Sequence, residues 1–342
     1  MISVHVGIHK TASSSIQSAL RIISHRRDLA VTTPGDRRQR SVEAMADWAL
    51  SLPEGRQIFI SNEGLLGQPT SGYDKSMETL GYLANRFKGR DWRVVVFFRA
   101  QWDWLPSVYL QTLQEGGSDT PEQFWSGITD LNHFRWMTLI RQIESFVGPG
   151  GLRVGVLGAG HDPVVDFFEL CRLGVVPPTP SGAIRENVSV SAPQGVLLRA
   201  INADPTLTQA ERTRVRVFFQ SQSRTREEAR LSPFDLELQE EVFRAYSPDW
   251  ASLGEWLHAH PSSCAVTNMD PTLVGPSIRP FAGSSFDAPD VAREISRCLR
   301  DSALTAVRRD PSIIRRFQQK VVSSPSDVLP AAMRRLRRRL VD

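Results

Sequence analysis

The chain is short of several things that narrow its chemistry. It has three cysteines in 342 residues, Cys171, Cys264 and Cys298, far apart and odd in number. They make neither a disulfide framework nor a Cys-x-x-Cys metal site, so no structural zinc is expected. No apolar run approaches the roughly 18–20 residues that span a bilayer. The first twenty residues carry Lys10 among hydroxyls and do not read as a signal peptide. The expectation is a soluble, cytoplasmic protein.

Lysine is scarce too: Lys10, Lys75, Lys88 and Lys320 stand against 37 arginines, a bias of genomic base composition more than of chemistry. The net charge of +4 is uneven. Residues 288–342 hold 13 basic and 6 acidic residues, which leaves the rest of the chain slightly acidic. A basic tail on an acidic body argues against a nucleic-acid-binding core.

What is present is ordinary globular composition, 41% hydrophobic and 23% charged, which excludes disorder and coiled coil. Residues 2–8 alternate as a strand, His9 to Ser15 form a polar turn, and Ile16, Ala19, Leu20 and Ile23 recur at helical spacing. Gln57–Ser61, Trp92–Phe98 and Leu152–Leu157 read as further strands, with Trp92–Phe98 apolar throughout as a central parallel strand should be. Helical patterns fall at about 41–51, 73–88, 101–115 and 134–147. Alternation of this kind predicts an α/β fold with a doubly wound parallel sheet flanked by helices. Beyond residue 175 the pattern is helical, near 191–203, 208–230 and 236–257, with no further strand expected. The expected organisation is a domain over 1–257, a Pro/Gly/Ser-rich linker over 258–289 and a basic helical tail over 290–342.

Three constellations carry chemistry. The first is Gly7-Ile8-His9-Lys10-Thr11-Ala12-Ser13-Ser14-Ser15, between a strand and a helix. Backbone N–H groups at a helix N-terminus favour an anion, and a lysine with hydroxyls adds donors. The spacing before Lys10 is too short for a Walker A loop, and a Ser- or Thr-capped helix with a solvated lysine is the plain alternative. The second is Arg99, at the end of the Trp92–Phe98 strand, with Ser107 eight residues on. Ligands of open parallel sheets sit beyond such strand ends, and an arginine fork suits a phosphate. A nucleotidase would place a magnesium-binding aspartate there. An arginine salt-bridged at a strand end is the alternative. The third is Glu63, leaving the Gln57–Ser61 strand at the same edge; a carboxylate there suits a general base or an acidic group at a helix N-terminus.

The first two constellations together resemble the sulfotransferase family that uses 3′-phosphoadenosine-5′-phosphosulfate (PAPS), nearest to its bacterial carbohydrate-type members. Their loop is similar to His9-Lys10-Thr11-x-Ser/Thr-Ser/Thr-Ser-Ile16-Gln17. The resemblance covers about residues 3–257, including Arg185-Glu186-Asn187-Val188-Ser189, and not the tail. It implies a P-loop-like fold and transfer of a sulfuryl group, without a metal, to a hydroxyl of a glycan or glycolipid. It implies that Lys10, Thr11, Ser13 and Ser14 hold the 5′ group and that Arg99 and Ser107 hold the 3′-phosphate. It implies Glu63 as the base, with His9 the alternative. Ala12 departs from it, standing where most members have glycine; its methyl would crowd a phosphate oxygen or shift φ. The basic glycine loop of small-molecule sulfotransferases is also absent. A P-loop kinase and a non-catalytic nucleotide-binding protein are the competing classes.

Two further motifs read as decoys. Gly155-Val156-Leu157-Gly158-Ala159-Gly160 lacks the third glycine of a dinucleotide loop, and Asp162-Pro163 instead starts a helix. His258-Ala259-His260 has no accompanying ligands and reads as a surface pair. The basic tail, with Val291, Ile295 and Leu299 on one face and the Arg334–Arg339 cluster at its end, reads either as a solvated or docked extension or as a segment lying on anionic membranes.

Overall fold

The structure is a computed structural model that describes residues 1–128, 134–148, 150–158, 162–174, 190–203, 231–264 and 279–280, with a few positions between 205 and 217. The Arg185–Ser189 segment, most of the expected linker and the whole basic tail lie outside the described residues.

Five strands form one parallel sheet in the order β2-β3-β1-β4-β5. They are β1 (Ile2–Val6), β2 (Leu29–Thr32), β3 (Gln57–Asn62), β4 (Trp92–Phe98) and β5 (Leu152–Val156). The register pairs Val6 with Asn62 and His5 with Val95, so β1 is central. β4 is buried from Arg93 to Phe98, as its apolar run Val94–Phe98 requires. The strand β2, which follows α1, has no counterpart among the expected strands. With four residues at the sheet edge it is too short to show an alternation of its own.

Helices cover both faces. On one, α1 (Ser13–Ile23) and α7 (Pro163–Leu170) pack together over the sheet. Ile16, Leu20 and Phe167 meet Phe59, Val95 and Phe97 there in one buried cluster. Against the other lies α6 (Trp136–Val147), whose Trp136 ring stacks 5.2 Å from Phe98. The helices α2 (Val42–Ser51) and α3 (Ser76–Arg86) pack with each other, and α3 packs with α6. This is the two-sided α/β sheet expected.

The chain divides into two compact units, each taken over its described residues. The first comprises Met1–Trp104, Gly127–Asn187 and Val242–Gly275 and contains the five-stranded sheet; the second comprises Leu105–Ser126, Val188–Glu241 and Pro276–Asp342. The helix α4 (Gln101–Gln114) starts in the first and continues into the second. In the second unit, α5 (Pro121–Ile128) begins, and Tyr109 packs between Phe124 and Phe234 with ring centroids 5.3 and 5.8 Å away. The helix α8 (Ala192–Asn202) opens with a capping box from Ser191 and Gln194. The long α9 (Leu236–Ala259) follows. The expectation of no strand beyond residue 175 is corrected by a two-residue parallel pair, β6 (Leu231–Ser232) with β7 (Arg279–Pro280). Pieces of two residues carry no periodicity to read. Among the described residues no helix is long and apolar enough to cross a membrane.

Candidate functional site

In a parallel sheet all carboxyl ends share one edge, and the three constellations of the first unit lie on three adjacent strands there. Glu63 follows β3, the Gly7–Ala12 loop follows β1, and Arg99 follows β4. In the order β2-β3-β1-β4-β5 the chain reverses direction across the sheet beside β1, which is where such folds open a crevice. β4 runs three residues past Val95, the partner of His5, and carries Arg99, one residue further, about 13 Å above that level at the usual rise per residue.

The loop after β1 is held in an unusual backbone. Lys10 (φ 63°) and Ala12 (φ 65°) both adopt the left-handed conformation, which costs a non-glycine residue about 1–2 kcal/mol. Ala12 therefore does not shift φ: it keeps the turn a glycine would make and carries the strain. It is also the N-cap of α1 and offers no side-chain cap. The first-turn N–H groups of α1, from Ser13 to Ser15, have no acceptor within the helix by geometry, and the helix dipole favours an anion beside them.

Five contacts fix that loop. Thr11 donates both its N–H (3.3 Å) and its hydroxyl (2.6 Å) to the Ile8 carbonyl, and the Ser13 hydroxyl reaches the same oxygen at 3.5 Å. These two side chains, both buried, shape the turn. His9 is gripped from both sides. Its N–H donates to the Tyr73 hydroxyl at 3.2 Å, and its carbonyl accepts from the Trp104 indole at 2.6 Å. Burial pushes the Tyr73 phenol well above its ordinary pKa, so it stays protonated. Lys10 and Ser14 are half-buried beside these groups.

Glu63 sits directly beside the loop. A Cβ built on Gly7 would meet the Ser13 hydroxyl at 2.4 Å and the Glu63 Cβ at 3.0 Å, so glycine alone fits at this meeting of three segments. The half-buried Glu63 carboxylate accepts from Gln17 Nε2 at 3.5 Å, one turn into α1.

Arg99 is reached through a chain of buried groups. Asp249 of α9 accepts from the N–H groups of Trp136 (2.7 Å) and Met137 (3.3 Å), capping α6, and from Gln101 (2.8 Å). The Trp136 indole then donates to the Arg99 carbonyl at 2.8 Å, and its ring packs 5.0 Å from Trp104. One aromatic shelf thus fixes both the backbone of Arg99 and that of His9. Burial lowers the pKa of the Arg99 guanidinium, and the charge of Asp103, four residues on, opposes it. Arginine remains a cation under any such shift. Ser107 is half-exposed in the second turn of α4, on the part of the helix that belongs to the second unit.

The structure thus brings together, in one unit, His9, Lys10, Thr11, Ala12, Ser13, Ser14 and Glu63, with Arg99 on the adjacent strand. The sequence pattern had not marked Tyr73, Trp104, Gln17 or Asp249. Gln17 stands inside the quoted loop motif and Trp104 two residues before Pro106 of the same helix; neither position signals a partner so remote in sequence. The decoys resolve by packing. A Cβ at Gly155 would fall 2.2 Å from the Phe97 ring, and Asp162 caps α7 through Val164 N–H at 2.8 Å. His260 stacks on Trp256 at 4.4 Å. Among the described residues no group of histidine, cysteine and carboxylate side chains is placed to hold a metal.

Comparison of the chain with protein-family models, with curated proteins and with solved structures finds no match in any of the three.

Proposed function

We propose that the protein is a sulfotransferase that takes a sulfuryl group from PAPS and delivers it to a hydroxyl of a carbohydrate or glycolipid, on a P-loop-like fold. One observation carries this: the lysine loop, a carboxylate and a half-buried arginine end three adjacent parallel strands at one edge of the sheet. The residues fit the donor's chemistry. Its anionic 5′ end suits the α1 N-terminus with Lys10 and Ser14, and its 3′-phosphate suits the Arg99 fork. The Gly7 position leaves room only for backbone where the loop and Glu63 meet.

When bound, the donor supplies an activated sulfuryl group. Lys10 neutralises charge that develops on the departing phosphate oxygen, with the first-turn N–H groups of α1 as fixed dipoles. Glu63 accepts the proton of the acceptor hydroxyl, and Gln17 holds that carboxylate beside the loop. Donor binding and base chemistry therefore fall on different strands and can be tested separately.

The test is a calorimetric titration with 3′-phosphoadenosine 5′-phosphate. Saturable binding is expected, weakened by about 2–4 kcal/mol in Arg99→Ala, as when a buried charged hydrogen bond loses its partner. Unchanged affinity in that variant removes the 3′-phosphate assignment. Ser107→Ala measures separately the share implied for that hydroxyl. Tight binding of ATP with Mg²⁺-dependent phosphoryl transfer would instead select the kinase class. Co-sedimentation of full-length and 1–289 protein with anionic vesicles tests the membrane role of the tail.

A further inference from the structure

Beyond the carboxyl ends of β3 and β2, on the side of the lysine loop away from Arg99, lies a second set of polar groups that the donor does not use. Asn62, the residue before Glu63, donates through Nδ2 to Gln39 Oε1 at 2.9 Å and accepts the Gly64 N–H at 2.7 Å. Gln39 Nε2 donates to the Ser61 carbonyl at 3.1 Å. These bonds fix both amides in orientation while each nitrogen keeps a second hydrogen. Next along the edge, Arg21 of α1 donates through Nε to Thr33 Oγ1 at 3.0 Å, which holds its guanidinium at the end of β2. Gln39 itself is flanked by the exposed Arg37 and Arg40, while neighbouring Arg38 pairs with Asp36.

Two chemical properties follow. Amides of fixed orientation with spare donors, next to a carboxylate, match neighbouring hydroxyls of a sugar. The side chains that the hydrogen bonds fix here are polar, which favours a hydroxylated acceptor. Cationic side chains gather here: Arg21 at the end of β2, and Arg37 and Arg40 on either side of Gln39 in sequence, with Glu63 and Glu43 the nearby carboxylates and Arg38 paired with Asp36. A neutral sugar has no use for that field, whereas a carboxylate or sulfate does.

We propose that this patch seats the acceptor, and that the acceptor is an acidic saccharide, its hydroxyls on Gln39 and Asn62 and its acid group in the field of Arg21 and Arg40. The assignment of the patch as an acceptor site rests on the sulfotransferase reading. The saccharide binding itself does not need it.

The experiment titrates the full chain with a chondroitin hexasaccharide, which carries uronates, and with maltohexaose, which is neutral, each with and without 3′-phosphoadenosine 5′-phosphate. The uronate probe should bind at least tenfold more tightly. Gln39→Ala should weaken it about tenfold, and Arg21→Gln and Arg40→Gln should each cut the preference to threefold or less, with nucleotide affinity unchanged in all. Arg40 is exposed and its side chain makes no hydrogen bond among the described residues, so its variant answers even if Arg21→Gln misfolds. Equal binding of the two saccharides, no binding of the uronate probe, or indifference to all three substitutions overturns the proposal. Nucleotide binding with such indifference fells this inference alone. Saccharide binding that responds to the substitutions, with no nucleotide binding, upholds the site and fells the sulfotransferase reading.

Discussion

The indole of Trp104 donates to the carbonyl of His9 at 2.6 Å, across 95 positions of sequence, and the Tyr73 hydroxyl takes the N–H of the same residue. A short loop with two left-handed non-glycine residues is held from outside by these two rings. Its shape is therefore a tertiary property and not one of local propensity.

Trp104→Phe tests that hold. It keeps most of the buried ring and removes the donor, leaving the His9 carbonyl with one partner fewer. Stability should fall by about 1–2 kcal/mol, the cost of a buried acceptor left unpaired. Affinity for 3′-phosphoadenosine 5′-phosphate should fall several-fold with it, because the lysine next to His9 loses its fixed position. Urea denaturation and calorimetry read the two effects. Lower stability with unaltered affinity would separate the ring from the site.

Ala12→Gly should act in the opposite direction. At φ 65° the alanine methyl is strained, and glycine removes that strain at the expense of a more flexible unfolded chain. A net gain of about 0.5–1 kcal/mol is expected, with nucleotide affinity equal or higher. A destabilised variant would mean that the left-handed turn at Ala12 is not the native one.

The strands that position the site were readable, β1 by its alternation and β3 and β4 by short apolar runs, each giving way to polar residues: Val6 then the loop, Ile60 then Ser61 to Glu63, Phe98 then Arg99. The edge strand β2 was not, because four residues between α1 and a turn show no period. The left-handed backbone at Ala12 was legible only as a missing glycine; that the chain keeps the turn and bears the strain required the dihedral itself. The clamp on His9 was illegible for a different reason. Trp104 sits among three aromatic or apolar neighbours in one helix, and nothing local says which of them turns its N–H toward the loop. The amide pair Gln39 and Asn62 was illegible likewise, since each residue alone reads as solvated loop.

His5 makes stability depend on pH. It is buried in β1, its Nδ1 is 2.8 Å from Ser61 Oγ, and its ring lies against Phe97 and Phe167. Its Nε2 has no hydrogen-bond partner. Burial lowers its pKa from 6.5 to about 3. Between these values the unfolded chain binds a proton that the native state refuses, so stability rises with pH and is lost as pH falls below about 6.5. From pH 7 to pH 5 the loss from this residue is about 2 kcal/mol. In the double variant His5→Leu, Ser61→Ala, which removes both polar partners, that part of the dependence should vanish. An undiminished slope in urea denaturation at the two pH values would assign it elsewhere.

The last prediction concerns the base. Glu63 lies at the end of β3 against Gly7 and Ser13, and Gln17 holds one of its oxygens. His9 lies two residues past Gly7, its backbone clamped at both ends and its ring 6.1 Å from that of Tyr73. A residue so held serves the loop by its main chain, which any side chain supplies. Glu63→Gln should therefore keep nucleotide affinity and lower kcat by roughly 10²–10⁴-fold, the usual worth of a positioned base. His9→Ala should keep the backbone bonds and lower kcat less than tenfold. With water as the acceptor, slow hydrolysis of PAPS provides a readout that needs no saccharide, and Gln17→Leu should slow it by freeing the Glu63 carboxylate from its position beside the loop. If Glu63→Gln turns over at the wild-type rate while His9→Ala does not, the imidazole is the base and the carboxylate belongs to the acceptor.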